Sequence, residues 1–201
     1  GLIRRHTRCV LLDPYANAFT RDPASTAGLH WSKNDRTEMK PGVAERKWEV
    51  DSLCYVLRLA HDYWRATGDT EPFDATWIRA AKLIVATFKE QQRYAGPGPY
   101  RFQRHSTQPT ETTLAGVGVP TRKTGLIHSA FRPSDDACTF PCNIPGNLFA
   151  VATLRELALM ARGVLRDESL ADEATKLAAE VEKAVFAHGV MVLPDGRQVL
   201  A

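Results

Sequence analysis

Two pairs of apolar helical stripes, held apart by a long stretch with no period, constrain this 201-residue chain more than any other feature. From Trp48 to Thr67, the residues Val50, Leu53, Cys54, Leu57, Ala60 or His61, and Trp64 recur at steps of three and four. Gly68 stops that pattern. From Pro72 to Gln92, the residues Trp77, Ala80, Ala81, Ile84, Val85 and Phe88 share one side, with Pro72 placed for a first turn. A third block, Pro145 to Gly163, is apolar over a wide arc, as a helix buried on more than one side must be. The fourth, Glu168 to Ala187, keeps Leu170, Ala174, Leu177, Ala178, Val181 and Val185 on one face and its charges on the other. Short links at Gly68–Glu71 and Arg166–Asp167 predict antiparallel neighbours within each pair.

The segment between the pairs runs from Tyr94 to Asn143. A connection that long is functional or disordered. Its content of Tyr100, Phe102, Ile127, Phe131 and Phe140 argues for order. Paired helices with an elaborated loop predict an all-α chain, part of a helical toroid in which each pair sends a loop to one open face. No fixed-period repeat is visible, so an open solenoid is not expected. After the last helix, Pro194-Asp195-Gly196 sits between Val190–Leu193 and Val199–Leu200, the pattern of a strand pair joined by a turn. The absence of an initiator Met and a strand pair at the very end lead us to expect one incomplete catalytic domain over residues 1–201, cut at both ends.

Composition excludes several classes. A net charge of +3, with no run of basic residues, does not make a nucleic-acid binder. No apolar stretch approaches the ~20 residues of a membrane span, and Gly1–Arg5 opens no signal peptide. There is no Gly-x-Gly-x-x-Gly, P-loop, Gly-x-Ser-x-Gly or His-Glu-x-x-His motif. Cys138-x3-Cys142 has the spacing of half a zinc site, with no second pair; Cys54 lies on an apolar stripe and reads as core. No cofactor or metal is expected.

Polar and aromatic residues gather in three places: Asp13–Phe19, Glu45–Ser52, and Phe131–Ala137 with Asn143–Asn147. In the second, Glu45 and Glu49, like Lys47 and Asp51, stand one helical turn apart if the helix has begun. Acids at a helix start favour the macrodipole; the same residues also make a sugar subsite, where charged groups bind vicinal hydroxyls and an aromatic face packs on the ring. In the third, Asp135 and Asp136 are adjacent and so point apart; one can serve as a general acid, or Ser134 or Asp135 caps a turn or short helix.

At these segments the sequence resembles glycoside hydrolase family 125, the exo-α-1,6-mannosidases. The resemblance lies in Asp13–Phe19 (DPYANAF), Glu45–Leu59 (ERKWEVDSLCYVLRL), Gly125–Ala137 (GLIHSAFRPSDDA) and Ile144–Val151 (IPGNLFAV). It implies a partial (α/α)6 barrel and an inverting hydrolase that removes non-reducing terminal α-1,6-linked mannose from a mannose-containing oligosaccharide or glycan. It implies an aspartate acid within Ser134–Asp136, with Asp135 and Asp136 both open, and a glutamate base with no match in this chain, so that residues 1–201 alone should be inactive. By position, Arg46, Trp48, Glu49, Asp51, Arg132 and Asn147 are candidates for the mannose site, followed by Tyr15 and His128. The chain departs from the family pattern at Ala44, where a bulky aromatic is expected, and at Gly146, where Ser or Ala is expected. The rival readings are another helical-toroid enzyme such as an α-glucosidase, a non-catalytic sugar-binding scaffold, and a zinc-binding helical domain.

Overall fold

The computed structural model describes residues 1–26 and 30–200. Helix α1 spans Leu2–Leu12 and is followed by two short strands, β1 (Ala18–Phe19) and β2 (Asp35–Arg36). Strand β3 (Val43–Glu45) leads into α2 (Val50–Thr67) and α3 (Ala75–Gln91). The long loop carries β4 (Gln103–Arg104) and two single 3-10 turns before α4 (Ile144–Met160), α5 (Glu168–His188), β5 (Val190–Val192) and β6 (Gln198–Leu200). The strands form three two-stranded antiparallel pairs, β1 with β3, β2 with β4 and β5 with β6. The chain is thus mainly helical, with the small sheets confined to the connections.

Each of the four expected helices forms, and local chemistry sets the ends. Gly68 closes α2 in the left-handed conformation at φ 69° and donates its N–H to Trp64 O at 2.8 Å. The start of α3 falls later than Pro72, because Asp74 caps it: its Oδ1 accepts from Thr76 N at 2.8 Å and Trp77 N at 3.0 Å. Asn143 caps α4 by accepting from Gly146 N at 2.9 Å, and Asp167 caps α5 by accepting from Leu170 N at 3.0 Å. At its far end α4 loosens into one π turn, Ala161–Leu165, and stops at Arg166 with φ 56°.

Packing differs from the pairing read off the short links. The two later helices, α4 and α5, do pack along each other, but α2 leans chiefly on α4 and touches α3 little, while α3 packs on α1. Helix α4 is the centre, buried at Ile144, Asn147, Ala150, Val151, Thr153, Leu154, Leu157 and Ala158 around its circumference. Its wide apolar arc follows from having α2 on one side and α5 on the other. One continuous apolar core results, with Trp48, Trp77, Tyr100, Phe88, Phe102 and Phe131 as its largest fully buried side chains. Four of those six, Trp48, Tyr100, Phe102 and Phe131, come from the long loop or the approach to α2, so the loop is part of the core.

The Glu45–Ser52 block corrects a local expectation. Glu45 lies in β3, and Glu49 is extended at φ −128°, ψ 125° and precedes the first helical residue. The one-turn pairings of Glu45 with Glu49 and Lys47 with Asp51 therefore do not arise. Residues farther along the chain, Tyr100, Ala130 and Phe131, bond the Trp48 backbone instead.

Candidate active site

Trp48 organises the region. Its peptide N–H donates to the Tyr100 hydroxyl at 3.0 Å, and its carbonyl accepts from both Ala130 N and Phe131 N, at 3.1 and 3.0 Å. Its indole N–H donates to His128 O at 2.7 Å. Ser129 Oγ accepts from Val50 N at 3.1 Å, fastening the first turn of α2 to the same strip. Asn147, on α4, holds the strip from behind. Its amide accepts from Ile127 N at 2.7 Å and donates to Ile127 O at 2.9 Å, as a neighbouring strand would.

From this strip the chain makes a tight hairpin whose arms meet at Phe131 and Ala137. Arg132 N donates to Asp136 O at 2.9 Å and Asp135 N to Arg132 O at 2.8 Å. Asp135 takes a left-handed φ of 64° at the tip, a conformation that Asp tolerates better than most residues but still pays in strain. The two aspartates go separate ways. Asp136 Oδ2 accepts from Ser134 Oγ at 2.9 Å and pairs with Arg132 at 3.0 Å, and these bonds hold its carboxyl below the usual carboxylate range. Asp135 leaves its side chain 60% exposed and turns to the β3–α2 junction.

That junction is a charged network. Asn17 Nδ2 donates to Asp135 Oδ1 at 3.1 Å and to Glu45 Oε2 at 3.3 Å, while Asn17 Oδ1 accepts from Lys47 N at 3.0 Å. Lys47 Nζ donates to the Asp135 carbonyl at 2.8 Å and lies 3.8 Å from Glu45 and 3.9 Å from Asp135 Oδ1. Arg104 clamps Asp35 through two bonds, at 2.5 and 2.8 Å, and reaches Glu45 at 3.0 Å. Glu49 is buried beside them and accepts from Ser52 Oγ at 3.0 Å. Burial pushes its carboxyl up to about 8, with the charges of Asp51 and Asp135 adding to the rise. Burial also raises Asp51, whose Oδ1 has no hydrogen-bond partner. Near neutral pH a protonated Glu49 can donate a hydrogen bond that a carboxylate cannot.

The candidates divide by surroundings. Asp51 and Arg132 line one cleft of about 430 Å³ with Ser134, Asn143 and Tyr55. A second cleft, of about 350 Å³, is lined by Asp13, Asn17, Ser52 and Tyr55. Tyr55 is common to both. Arg46 is buried: its Nε donates to Asp13 at 2.7 Å, and its guanidinium lies 5.4 and 5.3 Å from the ring centres of Tyr15 and Tyr100. The Tyr15 hydroxyl bonds Glu90 and accepts from Gln91 Nε2. Arg46, Tyr15, Trp48 and Asn147 thus spend their polar groups within the protein. His128 faces a separate cavity of about 190 Å³ on the Ala137–Cys138 side, and neither ring nitrogen has a hydrogen-bond partner. Burial, aided by Arg93, pushes its ring down to about 3, so it is neutral. Asn17 and Lys47, both in contact with Asp135, are missing from the site candidates read from sequence; each lies inside a matching block, but nothing local links it to the hairpin. Among the described residues, no group of three or more His, Cys, Asp or Glu converges as a metal site. No helix among them is long and apolar enough to cross a membrane.

The chain thus sets its hairpin and junction carboxylates on the connections of a mainly helical frame. It belongs to the metal-independent α-mannosidases of glycoside hydrolase family 125, whose sequence profile matches residues 1–201. The Meiotically up-regulated gene 157 protein of Schizosaccharomyces pombe is 32% identical over 217 residues, covering 100% of this chain and 42% of the relative. A solved metal-independent α-mannosidase of Streptococcus pneumoniae, in a non-productive complex with α-1,6-mannobiose, is 33% identical with a TM-score of 0.93. That match covers 100% of this chain and 47% of the other, so the chain spans less than half the length of either relative.

Proposed function

We propose that this chain is the acid-bearing part of an inverting exo-α-1,6-mannosidase, and that its helices form part of an (α/α)6 barrel completed by the rest of the family's length. Asp135 is the general acid. It protonates the glycosidic oxygen as the bond from C1 breaks, while water attacks C1 from the opposite face and gives its proton to a glutamate base outside residues 1–201. Inversion requires the two carboxyls to stand roughly 6.5–9.5 Å apart, with that water between them. Asp136 is the poorer acid, because Ser134 and Arg132 tie its carboxylate within the hairpin, whereas Asp135 reaches out from the tip, where it accepts from Asn17. Glu49, Asp51 and Arg132 bind mannose hydroxyls; Arg46, Trp48, Tyr15 and Asn147 hold the walls behind them. His128 supports the loop through its backbone.

The observation that carries this reading is Asp135 itself: an exposed carboxyl group on a left-handed turn, beside the buried Glu49, in a chain of this family. The complex of the Streptococcus pneumoniae relative with α-1,6-mannobiose supports the choice of substrate. The test is to give the full-length protein α-1,6-mannobiose and follow the first product by proton NMR. Early β-mannose is expected. Early α-mannose overturns inversion, and turnover of α-glucosides without α-mannosides overturns the substrate.

A further inference from the structure

We infer that Lys47 is the positioning residue for Asp135, acting through the main chain of the acid and not by neutralising its carboxylate. This rests on the reading of Asp135 as general acid.

Lys47 is 5% exposed, so its ammonium has given up most of its water. A buried cation normally finds a carboxylate at hydrogen-bond distance. Here the two nearest carboxylate oxygens, of Glu45 and Asp135, are 3.8 and 3.9 Å away. The shortest contact is the 2.8 Å bond to the neutral Asp135 carbonyl. The same ammonium lies 5.3 Å from the ring centre of Phe131, the fully buried residue at the base of the hairpin. Lys47 therefore grips the turn at both its base and its tip. Asn17 completes the clamp, joining the Lys47 peptide to the Asp135 carboxylate.

The left-handed conformation of Asp135 needs such a partner. A non-glycine residue there costs on the order of 1 kcal/mol or more and persists only when its surroundings impose it. The bond to the carbonyl imposes the turn and leaves the carboxyl group exposed toward solvent, where its protonated form would meet a leaving oxygen. The role does not require Lys47 to touch substrate. Its loss lets the tip relax and moves the acid from the glycosidic oxygen, and misplacement by about 1 Å can cost roughly 10²-fold in rate.

A general acid matters only for a leaving group that needs a proton. The test therefore uses two substrates with the full-length protein: α-1,6-mannobiose, which departs as an alcohol, and 2,4-dinitrophenyl α-mannoside, which departs as a stable phenolate. Lys47→Met should lower kcat/KM on mannobiose by about tenfold or more and leave the dinitrophenyl substrate within about twofold. Equal losses on both substrates, or no loss on mannobiose, overturn the inference. Asn17→Ala should show the same split to a smaller degree and serves if Lys47→Met does not fold. Asp135→Asn, run in parallel, separates the two readings. If it shows no split, the acid assignment fails; if it splits and Lys47→Met and Asn17→Ala do not, only the role of Lys47 fails.

Discussion

Gly146 in the first turn of α4 lies so close to Val50 in the first turn of α2 that a Cβ added to Gly146 would stand 2.5 Å from Val50 Cγ1. The departure from Ser or Ala at this position is therefore a packing requirement between two helix starts, beyond any effect on one of them. Gly146→Ser should destabilise the protein by about 1–3 kcal/mol, the usual cost of overpacking. Val50→Ala in the same background should recover most of that loss. Urea unfolding of the two single variants and the double variant measures the coupling; additive effects would show that the contact is not the cause.

The two aspartates of the hairpin should separate cleanly. Asp135→Asn should reduce kcat/KM on α-1,6-mannobiose by about 10²- to 10⁴-fold, the usual contribution of a general acid. Asp136→Asn keeps most of the turn and should cost less than about tenfold by the same measure. The reverse order in steady-state assays would move the acid to Asp136.

Glu49 predicts a pH dependence of stability. Its carboxyl is raised by burial from 4.5 to about 8, so the folded state holds a proton that the unfolded state releases earlier. Stability from this group is complete below pH 4.5 and is lost as pH rises toward 8, at up to about 1.4 kcal/mol per unit. The groups around it are Lys47, Asp51, Ser52 and Asp135. Glu49→Gln should abolish this slope, raising Tm relative to the parent at pH 8 and little near pH 4.5. A Tm difference independent of pH would contradict the assignment.

Arg166 ends the π turn after α4 with φ 56°. Glycine takes that conformation freely, so Arg166→Gly should stabilise the protein by about 0.5–1 kcal/mol without touching the site. Thermal unfolding decides it, and a fall in Tm would show that the arginine side chain contributes more than its backbone costs.

What the sequence made legible was periodic or local. The stripes of α2 to α5 and the turn at Pro194–Gly196 sit on the expected residues, because burial on one face writes itself at fixed spacing. Helix α1 escaped because its buried stripe is only Ile3, Thr7 and Val10, set among Arg4, Arg5, His6 and Arg8. The course of residues 45–49 was illegible for a different reason. Their charges fit a helix start, yet Tyr100 and Ala130–Phe131 capture the Trp48 peptide from far along the chain. The choice between Asp135 and Asp136 was equally hidden, since it depends on Asn17 and Lys47 reaching one of them across the fold.

The bonds to Trp48 have a consequence for how the long loop can vary. Its path begins near Tyr100 and returns at His128–Phe131, and both ends are tied to one residue. Between them, residues 120–123 run exposed along the surface. Added or deleted residues there would change the size of the excursion while both anchor points stayed fixed. Trp48 thus acts as a datum: the exposed part of the loop is free to diverge in length and chemistry, and the distance from α2 to the tip of the hairpin does not change with it.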